Sequence, residues 1–356
     1  PTLSGDVVLK SFITCFPALA ALLSAVLFWP HATADNTAPG GPDALTGTVI
    51  VVNQASDTVT LIDLATMEAY RHVAVVGGPH EVAVSPDGKR AMVTNYYKRD
   101  GEPQKTLSLI SLPDGATIRT IDLREFSRPH DVQWVDDTRV VVTCEANKAL
   151  LLVNAETSEI ERIFRTGKDG SHMLSLSQDR KRLYSSNMSG GGSVSVFDFQ
   201  TGKKIKDIDT GKECEGVGVS PDGRWVWAGN RAEDTVSIID TESLQLVKTL
   251  KSPGFPYRVE FTPNGKYALV PHARSGTLMV GDATGQSIIR HIPLGLTHVD
   301  EPSTAGVFPL TDNIHAFVRV RNDNSMLVIN LETGETLSLV ETQSSPDGVS
   351  YSPIQR

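Results

Sequence analysis

One unit, written several times over, restricts this chain more than any other feature. From Gly78 to Asn95 an apolar alternation opens on Pro79-His80, turns at Ser85-Pro86-Asp87-Gly88 and returns through a second alternation ending in Val93-Thr94-Asn95. Alternation with period two, broken by a turn whose glycine tolerates unusual backbone angles, reads as a strand hairpin. The unit recurs at Arg128 to Cys144, Gly170 to Asn187, Glu213 to Asn230 and Phe255 to His272, and in degraded form near Ser303 to Val320. A final copy at Ser345 to Pro353 stops after its first strand.

A third strand recurs at residues 57–64, 105–112, 148–155, 192–199, 234–241, 276–283 and 324–331, each followed by a turn and a more polar fourth strand. No helical period is sustained, so helices should be rare. Four-stranded units that cannot bury both faces alone predict an all-β fold, a seven-bladed β-propeller with four antiparallel strands per blade. Asp347 to Ser352 supplies only a first strand, and Thr48 to Asn53 begins at a second. The two ends are expected to complete one blade and close the ring, which removes an open edge.

Registering the copies puts His80, His130, His172, Glu215, Tyr257, Ala305 and Asp347 at one shared position, the start of the strand that lines a propeller channel. His80, His130, His172 and Glu215 come from consecutive blades and are predicted to converge on the channel mouth as ligands of a divalent transition metal, Zn, Cu, Mn or Fe. Imidazole suits these ions, and a carboxylate compensates their charge. The chain has nine histidines, so three in one slot is a concentration rather than scatter. Taken singly, each histidine also has a blander reading, a hydrogen bond to the neighbouring blade or to water.

Tyr257, Arg258 and His272 are the candidate catalytic residues, a tyrosine or histidine to exchange a proton and an arginine to meet an anion. His272, Glu145 and Asn187 sit at second-strand ends on the same face and are further candidates as ligands or ligand partners. Arg231, Arg258, Arg274, Arg319 and Arg321 fall at channel-face strand ends, in place for a collar around an anionic ligand; ordinary surface arginine is the alternative. Tyr96 and Tyr97 share that rim with Tyr257. His298, Asp300 and Glu301 lie in the longest connection between blades, read either as a lid or as a solvated loop. The Ser-Pro-Asp-Gly turns are read as structural.

Val93-Thr94-Asn95, the turns Ser85 to Gly88 and Ser220 to Gly223, and the strand Val236 to Asp240 resemble the YVTN-type seven-bladed propellers, an exported bacterial and archaeal group. Nitrous oxide reductase N-terminal-like and quinoprotein amine dehydrogenase-like propellers are related in kind. The resemblance covers residues 47–356 and implies the fold; the fold itself hosts binding proteins, scaffolds, lyases and redox enzymes.

Lys10 precedes an apolar run from Phe12 to Trp29, and Ala32-Thr33-Ala34 offers small residues before Asp35. Residues 1–34 are therefore expected to be a cleaved signal peptide, with an uncleaved anchor as the alternative. Residues 35–46 read as a disordered lead-in and 47–356 as a single propeller domain. Cys144 and Cys214 remain, too few for a disulfide scaffold, with one bridge or a soft ligand left open. A formal net charge of -9 argues against a nucleic-acid partner.

Three functions follow from this reading. The first is a periplasmic or secreted metal-binding propeller, with lyase- or hydrolase-type chemistry on a small anionic molecule if the ion is catalytic. The second is a non-enzymatic metal carrier or a scaffold for a periplasmic protein partner. The third is a structural propeller with an empty mouth. After cleavage no stable membrane span is expected, and without a CxxCH motif covalent haem is not.

Overall fold

A computed structural model describes residues 45–98, 100–296 and 304–356. Residues 1–34, expected to be a signal peptide, most of the lead-in, and His298, Asp300 and Glu301 lie outside the described residues. Seven four-stranded antiparallel sheets account for the fold. Among the described residues the only helical turns are Gln54–Ser56 and Glu145–Asn147, and no helix is long and apolar enough to cross a membrane.

Burial along each blade follows its sequence. The third strands are covered on both faces and read as near-continuous apolar runs, as in Ala149–Asn154. Fourth strands such as Gln245–Lys251 lie at the rim and are largely exposed. Apolar side chains gather in seven clusters, each shared by two neighbouring blades. Met92, Leu107 and Leu109 of blade 2 thus meet Val140, Val142 and Leu151 of blade 3.

The ring closes as the sequence predicts. Pro346–Ser352 pairs with Thr48–Asn53 from Thr48 against Ser352 to Asn53 against Pro346, forming the inner edge of blade 1. Val49, Val51 and Ile62 of that blade then pack on Phe317, Met326 and Val328 of blade 7.

Three local devices aim the shared slot at the axis. Two residues before the slot the backbone is left-handed at Gly78, Arg128, Gly170, Glu213, Phe255 and Ser345. At Gly78 only glycine fits, because a Cβ would stand 1.8 Å from the Tyr97 carbonyl oxygen. Next, a bulge falls at the slot: Pro79 pairs with Asn95 but Val82 pairs with Val93, so His80 and Glu81 together oppose Thr94. Blades 3, 4 and 5 repeat it. A bulge bends the strand and redirects side chains.

The third device is a hydroxyl that ties one blade to the next. Thr94 Oγ1 accepts the Glu81 N–H at 2.9 Å and donates to the His130 carbonyl at 2.8 Å. Thr143 does the same between Asp131 and His172, and Ser186 between Met173 and Glu215. The N–H freed by each bulge is thereby satisfied. The slot backbones of His130, His172 and Glu215 are also fixed by the preceding blade.

Candidate metal centre at the channel mouth

The slot residues form a contiguous arc. The His80 and His130 rings have centroids 3.9 Å apart, and His130 and His172 3.7 Å. His172 Nε2 lies 2.6 Å from Glu215 Oε1, and His80 Nδ1 lies 3.5 Å from Asp347 Oδ2 on the other side. All five residues are buried. One ligand atom from each of His80, Glu81 and His130 lies within 4.8 Å of the others, and the same holds for His130, Glu145 and His172.

These two groups differ in what their atoms already do. His172 is clamped: its Nδ1 meets Glu145 and its Nε2 meets Glu215. Carboxylates only accept, so both ring nitrogens carry protons. Burial works against that charge, but Glu215 and Glu145 outweigh it and raise the pKa to about 9. Glu145 also receives the Tyr96 hydroxyl and the Arg128 guanidinium.

His80 and His130 are otherwise. Nδ1 of each is buried without a hydrogen-bond partner, as is Asp347 Oδ2. Burial, together with His172, His80 and Arg258, pushes the His130 pKa well below the usual histidine value, leaving a neutral imidazole. Burial opposes ionisation of Glu81, but Arg258 and His80 hold its pKa below the ordinary range. Neutral imidazole beside ionised carboxylate is the protonation state a transition metal needs.

Glu215 has a different place from the one expected of a fourth ligand. It faces Arg231 Nη1 at 2.8 Å and Arg258 Nη1 at 3.0 Å as well as His172. These cations overcome burial and lower its pKa to about 2. Its carboxylate is a counter-ion to three cations, and it belongs to neither metal-like group.

Arg258 is fully inside the mouth, bridging Glu215 to Glu81. Room for it comes from Gly216, where a Cβ would stand 2.3 Å from the Tyr257 carbonyl oxygen. Tyr257 lies beneath the Arg258 guanidinium, 4.9 Å from ring centroid to Cζ. Burial, then Glu215, raises the Tyr257 pKa, so it stays a phenol.

His272 is remote from this group. It ends the second strand of blade 6 with Nε2 2.7 Å from Ser252 Oγ and Nδ1 3.0 Å from the Val270 carbonyl. Asn53, Asn95, Asn187 and Asn230 end the equivalent strands and point into their own blades, bonding hydroxyls of the third strand. His272 ends the equivalent strand of blade 6, but its hydroxyl partner Ser252 follows the fourth strand of blade 5, so it joins two neighbouring blades, which corrects its expected place at the mouth. Cys144 and Cys214 are free and buried in the blades, and burial raises both thiol pKa values.

The arginines do not form one collar. Arg319 is buried against Asp347, Arg231 is held by Glu213 and Glu215, and Arg321 by Ser345 and Gln54. Arg274 is exposed and lies over Phe255, 4.2 Å from its centroid. At the rim Tyr96 and Tyr97 meet edge to face at 4.6 Å, with Arg128 over both rings.

Below the mouth the channel is a cavity of about 760 Å³ lined by all seven inner strands, with Glu81, Asp131, Arg258 and Glu260 among its lining residues.

Sequence reasoning missed Glu81 and Asp347 as partners of His80, and Thr94, Thr143 and Ser186 as the bridges that position the arc. The signal for the bridges was present: a hydroxyl residue, Thr94, Thr143 or Ser186, falls opposite the slot in the three hairpins that open on histidine.

Seven four-stranded blades and a closing C-terminal strand make this chain a seven-bladed β-propeller, the fold that its resemblance to the YVTN-type propellers implied. Residues 135–260 are similar to the cytochrome D1 heme domain. A 109-residue stretch is 31% identical to dihydro-heme d1 dehydrogenase of Pseudomonas aeruginosa, covering 29% of this chain and 22% of that protein. Similarity to a WD repeat-containing protein 55 homolog of Drosophila willistoni is 29% over 24% of this chain and 16% of the relative. The matches thus span about a fifth of the curated relatives. A functionally unknown protein from Desulfotomaculum acetoxidans superposes with TM-score 0.73 at 14% identity, over 86% of this chain and 99% of that one. Kuenenia stuttgartiensis hydrazine synthase gives 0.65 at 18%, over 84% and 93%. Dihydro-heme d1 dehydrogenase NirN in complex with DHE gives 0.62 at 15%, over 88% and 78%. At these identities the structural likeness is one of fold.

Proposed function

We propose that this chain is an exported propeller that binds a divalent transition metal at its channel mouth, through His80 and His130 with Glu81 beside them. The carrying observation is the pair of buried, unpartnered Nδ1 atoms on two touching imidazoles next to an ionised carboxylate. Buried polar atoms without partners are uncommon in folded proteins, and a bound ion satisfies them. His172 and Glu215 then stand beside the ion as fixed charge: the imidazolium is held between Glu145 and Glu215, and both of its N–H groups are committed to them. Such an ion supplies a Lewis acid at the mouth. Arg274 on Phe255 and Arg128 on the tyrosine pair are placed to receive a small anionic ligand. The apolar run from Phe12 to Trp29 and the Ala32-Thr33-Ala34 site support export.

A second reading, heme-related binding, is favoured by the cytochrome D1 similarity, because residues 135–260 contain Glu145, His172 and Glu215. Both nitrogens of His172 are engaged, so an axial imidazole would come from His80 or His130, outside the matched stretch. Imidazoles packed 3.7 and 3.9 Å apart leave no gap for a macrocycle between them, which favours the ion.

Elemental analysis of protein exported and purified without chelator separates the two readings. The ion reading predicts close to one equivalent of a transition metal, lost in His130→Ala, with no Soret absorption and none after hemin is added. A Soret band that depends on His80 or His130 would establish the heme reading. Metal unaffected by His130→Ala, or neither metal nor heme, would leave a scaffold.

A further inference from the structure

We infer that Asp347, on the C-terminal strand that closes the ring, is a ligand of the same ion, so that metal binding fastens the closure. This rests on the ion reading above. Asp347 Oδ2 stands 3.5 Å from His80 Nδ1, and Glu81 Oε1 stands 3.7 Å from that nitrogen. A direct hydrogen bond would be shorter. Ligands ~2.0–2.1 Å from one tetrahedral ion stand about 3.4 Å from each other, close to both separations; Asp347 lies outside the compact group of His80, Glu81 and His130, so its carboxylate would move inward to join them on the ion.

Beyond the long ion-pair contacts of His80 with Asp347 and Glu81, the atoms concerned are unsatisfied. His80 Nδ1 and Asp347 Oδ2 are each buried without a hydrogen-bond partner. Arg319 holds the other carboxylate oxygen, Oδ1, at 2.8 Å, which orients the free oxygen. Arg319 also donates to the Pro346 carbonyl, so the strand and its carboxylate are set by one guanidinium. Gly348 lets the closing strand come this near, since a Cβ there would stand 2.7 Å from Glu81 Cα.

The consequence follows from topology. His80 and His130 belong to blades 2 and 3, whereas Asp347 enters blade 1 only when Pro346–Ser352 pairs with Thr48–Asn53. Three ligands from both ends of the ring share one ion only in the closed state. Whatever binds only the closed state stabilises it by mass action.

The test uses the whole mature chain and Zn²⁺ alone. Isothermal titration should show one ion per chain in the wild type and an affinity at least about tenfold weaker in Asp347→Asn, which keeps the Arg319 acceptor but loses a charged ligand. Hydrogen exchange should show that Zn²⁺ slows the amides of Pro346–Ser352 and Thr48–Asn53 more than those of Thr235–Asp240 in blade 5, and that the excess disappears in Asp347→Asn. Equal affinity in wild type and variant, or binding without added protection of the closing strand, overturns the inference and leaves the ion reading standing. If the wild type binds no ion, both fall. Should Asp347→Asn fail to fold, the wild-type exchange pattern decides alone.

Discussion

The two halves of the mouth are built from the same repeat and do opposite things. In blades 2 to 4 the slot holds histidine, and Thr94, Thr143 and Ser186 each bind the next blade's slot carbonyl. In blades 5 to 7 the position of that hydroxyl is taken by Gly229, Pro271 and Arg319, and the inner strand of blade 6 shrinks to Glu260–Phe261. Buried guanidiniums enter where regularity is lost. The regular half fixes imidazoles to within hydrogen-bond tolerance, and the irregular half supplies the positive charge that keeps Glu81, Glu215 and Asp347 ionised. One lesson is that ligand precision and charge compensation draw on different parts of the ring.

The largest effect should come from breaking the irregular half. Arg258→Met removes the cation between Glu215 and Glu81 and leaves two buried carboxylates undercompensated. Breaking a buried pair typically costs about 3–5 kcal/mol, and denaturant unfolding should show a loss of that order. A loss under about 1 kcal/mol, the range of exposed pairs, would mean that the mouth is far wetter than its burial indicates.

A smaller loss is expected in the regular half. Thr143→Val leaves the Asp131 N–H and the His172 carbonyl unpaired, at about 1–3 kcal/mol. Because Thr143 positions the slot of blade 4, metal affinity through His80 and His130 should change far less than stability. Equal damage to both would put His172 in the coordination shell.

The effect that vanishes at neutral pH concerns a histidine outside the mouth. Burial, then His291, lowers the His272 pKa to about 4 from an ordinary 6.5. Between those values the unfolded chain takes up a proton that the folded blade refuses, so stability should fall as pH drops from about 6.5 toward 4, by up to about 3 kcal/mol. His272→Asn restores the residue used at Asn53, Asn95, Asn187 and Asn230. It should fold normally at neutral pH and remove that part of the slope. An unchanged slope would show that His272 is not held neutral.

Much of this was readable before any coordinates. Period-two alternation and the Ser-Pro-Asp-Gly turns set the blades, and the register of the copies alone brought His80, His130 and His172 to one arc. Other features depend on neighbours that a repeat does not encode. The main chain from Pro256 to Arg258 comes close to blade 5 because Gly216 and Gly229 carry no Cβ, and Asp347 reaches His80 only through closure of the ring. His272 was misplaced for a different reason: its strand position marks the right face, but the asparagines that share it point into the blades. The hydroxyls opposite them, Thr106 and Ser108 for Asn95, already carried that signal in the third strand.

The split of the arc is tested most directly by X-ray absorption on the Zn²⁺-loaded full chain. Two imidazole nitrogens with carboxylate oxygens in the first coordination shell are predicted, and His80→Ala should reduce the imidazoles to one. Three imidazoles, with His172 released from Glu145 and Glu215, would contradict the account, as would a shell with no imidazole at all.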